Sequence, residues 1–163
     1  MGYRSEVVMV IQMDDHEDEE SVKNWHLFIA ELKTNSKCDI AMRELTKKDT
    51  QLDYGGIDMK NCSLYVRFDN VKWYDDDGWV ASFNYLFGLS THYCNGDKFG
   101  MSACFLRVGE DDDDVNSEYY GELGYELAYL TRPSIEVIDV AFDEKNKLLT
   151  ETENAKNRVG EKL

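Results

Sequence analysis

"SLYVRFDNVKWYDDDGWVASFNYLFGLSTHY", residues 63–93, changes its hydrophobic period partway along. In the first half Leu64, Val66 and Phe68 alternate with Tyr65 and Arg67, the period-two pattern of a half-buried strand. That strand is expected to run from about Ile57 to near Tyr74. In the second half Val80, Phe83, Phe87 and Ser90 fall on one helical face. The "DDDGW" between the halves makes the turn, with Asp77 placed to cap the helix.

The flanking chain extends this alternation. Val7 to Met13 is an apolar, β-branched run that reads as a buried strand. "DDHEDEE", residues 14–20, leads into an amphipathic helix over 19–33, where Val22, Trp25, Phe28, Ile29 and Leu32 recur at spacings of three and four. Its acidic first turn suits the positive end of the helix dipole. "TNSKCD" ends that helix, residues 39–56 show no clear period, and Gly55-Gly56 reads as a break. Downstream, "FGMSACFLRVG" (99–109) and "YELAYLTRPSIEVIDV" (125–140) read as the last two strands, joined by the acidic connection "EDDDDVNSEYYGELG". Pro133 cannot donate to a ladder, so it marks an edge or a bulge. The order β, α, β, α, β, β predicts an α+β fold, a mainly antiparallel sheet with two helices packed on one face. Residues 1–140 are expected to form a single globular domain, and residues 141–163 a charged C-terminal tail or surface helix.

A chain of 163 residues is long enough to bury a core without disulfide staples. Its ten tyrosines, seven phenylalanines and three tryptophans argue for a folded body although 31% of residues are charged. The net charge is −15, and residues 141–163 carry five basic and five acidic residues, so the whole excess lies in residues 1–140. Such a body repels nucleic acid and anionic membranes, and it steers basic partners toward itself. Cys38, Cys62, Cys94 and Cys104 form no CxxC, the opening "MGYRSEVVMVIQM" lacks the features of a secretion signal, and no apolar run approaches the ~20 residues of a bilayer-spanning helix. The reading is a reduced, soluble, cytoplasmic chain.

Chemical signatures are sparse. A calcium loop laid on Asp111 finds Asp113 and Glu122 at its third and twelfth positions but meets Val115 and Asn116 where an oxygen ligand and the turn glycine belong. His16, His26 and His92 stand apart, and Cys94 near His92 is too close along one helix for the two to face each other. There is no Gly-rich phosphate loop, no GxSxG and no HExxH. The sequence therefore assigns no catalytic residue, no metal and no cofactor.

The acidic clusters remain. In an extended chain Asp111 to Asp114 carry charge every ~3.3 Å, close to the ~3.4 Å phosphate spacing of a DNA strand. Alternate side chains point to opposite sides, so mimicry of a duplex needs help from Asp75–Asp77 and from Asp14–Glu20. The plainer alternative is that each cluster is a solvated turn.

Four segments in the same order, "MGYRSEV", "DNVKWYDDDGWV", "FLRVGEDDDDV" and "TRPSIEV", resemble a group of small, mostly uncharacterised proteins of bacteriophages and prophages. The resemblance covers most of residues 1–140, skips Cys38 to Gly56, and leaves the tail unaccounted for. It implies a viral origin, a place in the host cell cytoplasm and no established activity. Its pattern picks out Tyr3, Arg4, Trp73, Tyr74, Arg107, Gly109, Glu110 and Asp111, and Arg4 and Arg107 are expected to pair with carboxylates at strand ends.

Together these readings predict an acidic binding protein that inhibits a host nucleic-acid-handling or defence enzyme, without binding nucleic acid or membrane itself. The expected partner is a host protein with a basic groove. The expected contact face is Asp75, Asp76, Asp77, Glu110, Asp111, Asp112, Asp113 and Asp114, with Trp73, Tyr74 and Arg107. The alternative is a small-ligand-binding protein or metal-dependent enzyme, with Arg107 on an anionic ligand and Glu110, Asp111 and Asp112 on a cation. A third reading is an assembly protein working through its tail.

Overall fold

Residues 7–11 and 13 are apolar on consecutive positions, as expected of a strand buried on both faces, and that strand lies at the centre of the sheet. The computed structural model describes residues 4–46, 54–94, 100–111 and 113–130. Residues 1–128 cluster as one compact unit, and the second unit, from Tyr129, falls almost wholly outside the described residues.

The elements follow in the order β1 (Ser5–Met13), α1 (Glu19–Thr34), a 3-10 turn (Ser36–Cys38), α2 (Asp39–Thr46), β2 (Tyr54–Asp58), β3 (Ser63–Val71), α3 (Gly78–Cys94), β4 (Met101–Gly109), β5 (Val115–Tyr120) and α4 (Gly124–Leu130). The five strands form one antiparallel sheet in the order β2-β3-β1-β4-β5. The α+β class and the antiparallel sheet are as the sequence predicts. Three helices rather than two supply the main core, because α2 adds Ala41, Met42 and Leu45 to it.

On the helical face the inward residues of β1 (Val7, Met9, Ile11), β3 (Leu64, Val66, Phe68) and β4 (Met101, Ala103, Phe105) meet Trp25, Phe28 and Leu32 of α1 and Val80, Phe83 and Leu86 of α3. On the opposite face Val8, Val10, Cys104 and Leu106 are also buried, together with Arg67, whose guanidinium donates to Asp69 at 2.9 and 2.7 Å. Pairing and hydrogen bonding are what make a buried guanidinium tolerable. Asp18 caps α1, accepting from the Ser21 backbone N–H at 3.1 Å and from its hydroxyl at 3.2 Å.

Four expectations need correction. Gly55-Gly56 is not a break: both lie inside β2, paired with Val66 and Tyr65, at φ +156° and +152°. Only glycine takes that extended geometry freely. The run from Ile57 to Tyr74 is not one strand, since β2 ends at Asp58 and β3 stops at Val71. A bulge opposite the Ser5–Val7 step puts Asn70 at φ +53° and turns the chain before Trp73. The acidic connection contains a strand: "VNSEYY" is β5, paired in register with β4 through a tight turn. "YELAYL" begins as helix α4 rather than as the last strand. Pro133 and the tail 141–163 lie outside the described residues.

Candidate functional site

Antiparallel register decides which acidic clusters meet. Ser5 pairs with both Val71 and Gly109, so the segment after β3 and the turn after β4 leave the sheet at the same end. Met13 pairs with Met101 at the other end, where Asp14–Glu20 follows β1. Eight strand steps separate the two, roughly 26 Å. Asp75 and Asp114 thus come to line one space at that end, and Asp14–Glu20 does not join them.

At the shared end lies a cleft of about 610 Å³ between α3 and the β4–β5 hairpin. Trp73, Phe87, Phe105 and Tyr120 supply apolar walls, with Tyr74 at the exposed rim. The aromatic walls are continuous with the core. Phe105 stacks obliquely on Trp73 and on Phe87 with centroids 6.2 and 5.8 Å apart, and Phe87 meets Tyr120 at 5.9 Å. Trp73 is held in turn by Phe68 and Trp79. The polar lining is Asp75, Asn84, Thr91, Arg107, Asp114, Asn116 and Glu118, three carboxylates against one guanidinium, and Gly88 of α3 opens onto the same space.

Arg107 is already engaged. Its two terminal nitrogens donate to the two Asp114 oxygens at 2.9 and 2.7 Å, and one also donates to Ser5 Oγ at 3.2 Å. This is the strand-end carboxylate pair the sequence predicts, in the bidentate form that guanidinium geometry favours. Asp75 accepts from Asn84 Nδ2 at 3.2 Å, and Glu118 accepts from the Tyr120 hydroxyl at 3.2 Å. Partial burial and then the neighbouring Glu118 raise the Tyr120 phenol above its ordinary value, so it stays a donor. A cleft of this lining suits a cation with an apolar stem: rings accept the stem and face the charge, and carboxylates receive it.

The structure thus gathers Trp73, Tyr74, Asp75, Arg107 and Asp114 around one space. Asp76 is exposed on the turn before α3, and Asp77 starts that helix through its backbone carbonyl, which accepts from Ala81. Glu110 faces Arg4 instead, accepting from its backbone N–H at 2.7 Å, while the Arg4 guanidinium donates to the Asn70 carbonyl. Asp111 and Asp113 are exposed, and Asp112 lies outside the described residues. Sequence reasoning missed Asn84, Phe87, Phe105, Asn116, Glu118 and Tyr120 as lining. The signal that could have found the last three was their period-two spacing in "VNSEYY".

Among the described residues no three His, Cys, Asp or Glu side chains are grouped to hold a metal ion. Cys94 is buried, and that burial, with the charge of Asp14, pushes its thiol up to about 12, so it is no nucleophile near neutral pH. No helix among the described residues is long and apolar enough to cross a membrane. No protein-family model, curated protein or solved structure matches the chain.

Proposed function

We propose that this chain is an acidic binding protein of viral origin that acts in the host cytoplasm and inhibits a host nucleic-acid-handling or defence enzyme by occupying a basic groove. One observation carries the reading: Asp75 and Asp114, one aspartate from each of two acidic runs far apart in sequence, join Glu118 in lining a single aromatic-walled cleft with three carboxylates against one guanidinium. Long-range charge steers a basic surface toward that end, and aromatic side chains with buried stems supply the short-range energy. The cleft also lies in the size range of small-molecule sites, which supports a second reading, capture of a small organic cation. An anionic ligand on Arg107 gains no such support, because Asp114 already occupies its fork.

The test is capture from bacterial lysate on the immobilised full chain. The expected partner elutes with duplex DNA and is lost as salt rises from about 50 to 200 mM. Asp75→Asn with Glu118→Gln should weaken its capture while leaving the melting temperature in place. Captured proteins indifferent to DNA, salt and these substitutions would sink the reading.

A further inference from the structure

Among the described residues, the strand beside the cleft is an edge of the sheet. β5 ends the sheet, its residues Val115 to Tyr119 are exposed, and its pairing with β4 runs without a register shift. The turn bond from the Gly109 N–H to the Asp114 carbonyl makes these two a hydrogen-bonded pair. Antiparallel alternation then turns the main-chain groups of Asn116, Glu118 and Tyr120 toward β4. Those of Ser117 and Tyr119 face outward. Natural edges are commonly blocked by proline, lysine or a bulge, and "VNSEYY" contains none of them. The other edge, β2, is a poorer template because Gly55 and Gly56 distort it.

Side chains add a direction. Asn116, Glu118 and Tyr120 all line the cleft, so alternate residues of a strand laid against β5 would stand on that same face. A second copy of this chain is a poor occupant, since each carries a net charge of −15. We propose that β5 accepts an extended segment of the partner as a sixth strand, and that alternate lysine or arginine side chains of that segment reach over β5 into the cleft. This rests on the acidic-binding reading above and specifies its geometry: main-chain bonds to Ser117 and Tyr119 give the docking, and the acidic aromatic lining gives the selectivity.

The experiment uses the full chain and a synthetic peptide of about eight residues alternating arginine with valine, roughly the length of an ordinary strand. A peptide of the same composition with its arginines contiguous serves as control. Two further versions carry N-methyl groups on one or the other alternate set of amides. The alternating peptide should bind more tightly than the control. One N-methyl version should lose at least about tenfold in affinity, as leaving an edge hydrogen bond unmade implies, and the other should bind like the parent. Binding should slow hydrogen exchange at the Ser117 and Tyr119 amides and leave those of Asn116 and Glu118, already bonded to β4, unchanged. If both N-methyl versions bind like the parent and the Ser117 and Tyr119 amides stay unprotected, strand addition is wrong while the basic-partner reading survives. If none of the basic peptides binds at about 50 mM salt, both readings fall together. A doubling of mass without peptide would assign the edge to a second copy instead.

Discussion

The two ends of β1 are both acidic and spend their carboxylates differently. Beyond Met13, Asp14 accepts from the Ser102 hydroxyl at 2.6 Å, Asp15 accepts from the Glu17 N–H at 3.1 Å, and Asp18 caps α1. These oxygens satisfy the chain's own donors and start a helix. At the Ser5 end Asp114 is held by Arg107 and Glu110 by the Arg4 N–H, while Asp75 and Glu118 line a cleft. A run of Asp and Glu in sequence therefore says little by itself. What distinguishes the ends is whether aromatic walls stand beside the charge.

The largest test of that contrast is Phe68→Ala. Phe68 is fully buried, and its ring meets Trp73, Trp79 and Phe83 at 5.9, 5.3 and 5.2 Å. Its loss should cost about 3–5 kcal/mol and loosen the Trp73 wall, so that denaturant midpoint and peptide affinity fall together. A variant that keeps full affinity would detach the cleft from the core.

Alkaline pH should act chiefly on the helical core, where the largest upward shifts lie. Burial pushes the Cys38 thiol up to about 11, and burial with the hydrogen bond to Glu31 pushes the Tyr93 phenol up to about 12. Cys94 is raised as well, to about 12. Below pH 9 these groups are neutral in both states. Above the ordinary values of 9.0 for a thiol and 10.0 for a phenol, the unfolded chain releases protons that the folded chain keeps. Thermal melts should therefore show stability level up to about pH 9 and falling toward pH 12. Tyr93→Phe should flatten the upper part of that fall. An unchanged pH profile in that variant would remove Tyr93 from the account.

Asp18→Ala should cost about 1 kcal/mol through loss of the α1 cap and leave basic-peptide affinity alone. Asp75→Asn with Glu118→Gln should do the reverse, shifting stability by no more than about 0.5 kcal/mol while lowering affinity. Chemical denaturation and peptide titration on the same two samples check the pair. If both variants lose affinity equally, the two acidic ends are equivalent and overall charge, not the cleft, holds the partner.

Much of the fold was legible because α1 and α3 each bury one helical face, and β1 and β4 read as continuous apolar runs buried on both faces. The β4–β5 hairpin was not: its turn is hidden in "EDDDD", and an edge strand with polar residues on both faces offers no apolar alternation to read. "YELAYL" fits a strand or a helix equally well over so few residues. At the site, Trp73, Tyr74 and Arg107 stood out by residue type, as did the aspartates. Phe87 and Phe105 looked like core, and they are core on one side and wall on the other. Which of two acidic clusters would accompany them depended on strand register, a long-range property that local spacing does not carry.

Gly88 has a consequence of another kind. It sits within α3, faces the cleft, and a methyl group added there would meet nothing within 4 Å. Alanine at this position should therefore raise helix stability by about 0.5–1 kcal/mol, an improvement within a single mutational step. The same methyl group would take up room in the cleft, which makes position 88 the place where a thermostabilising screen and a binding screen of the same library should disagree.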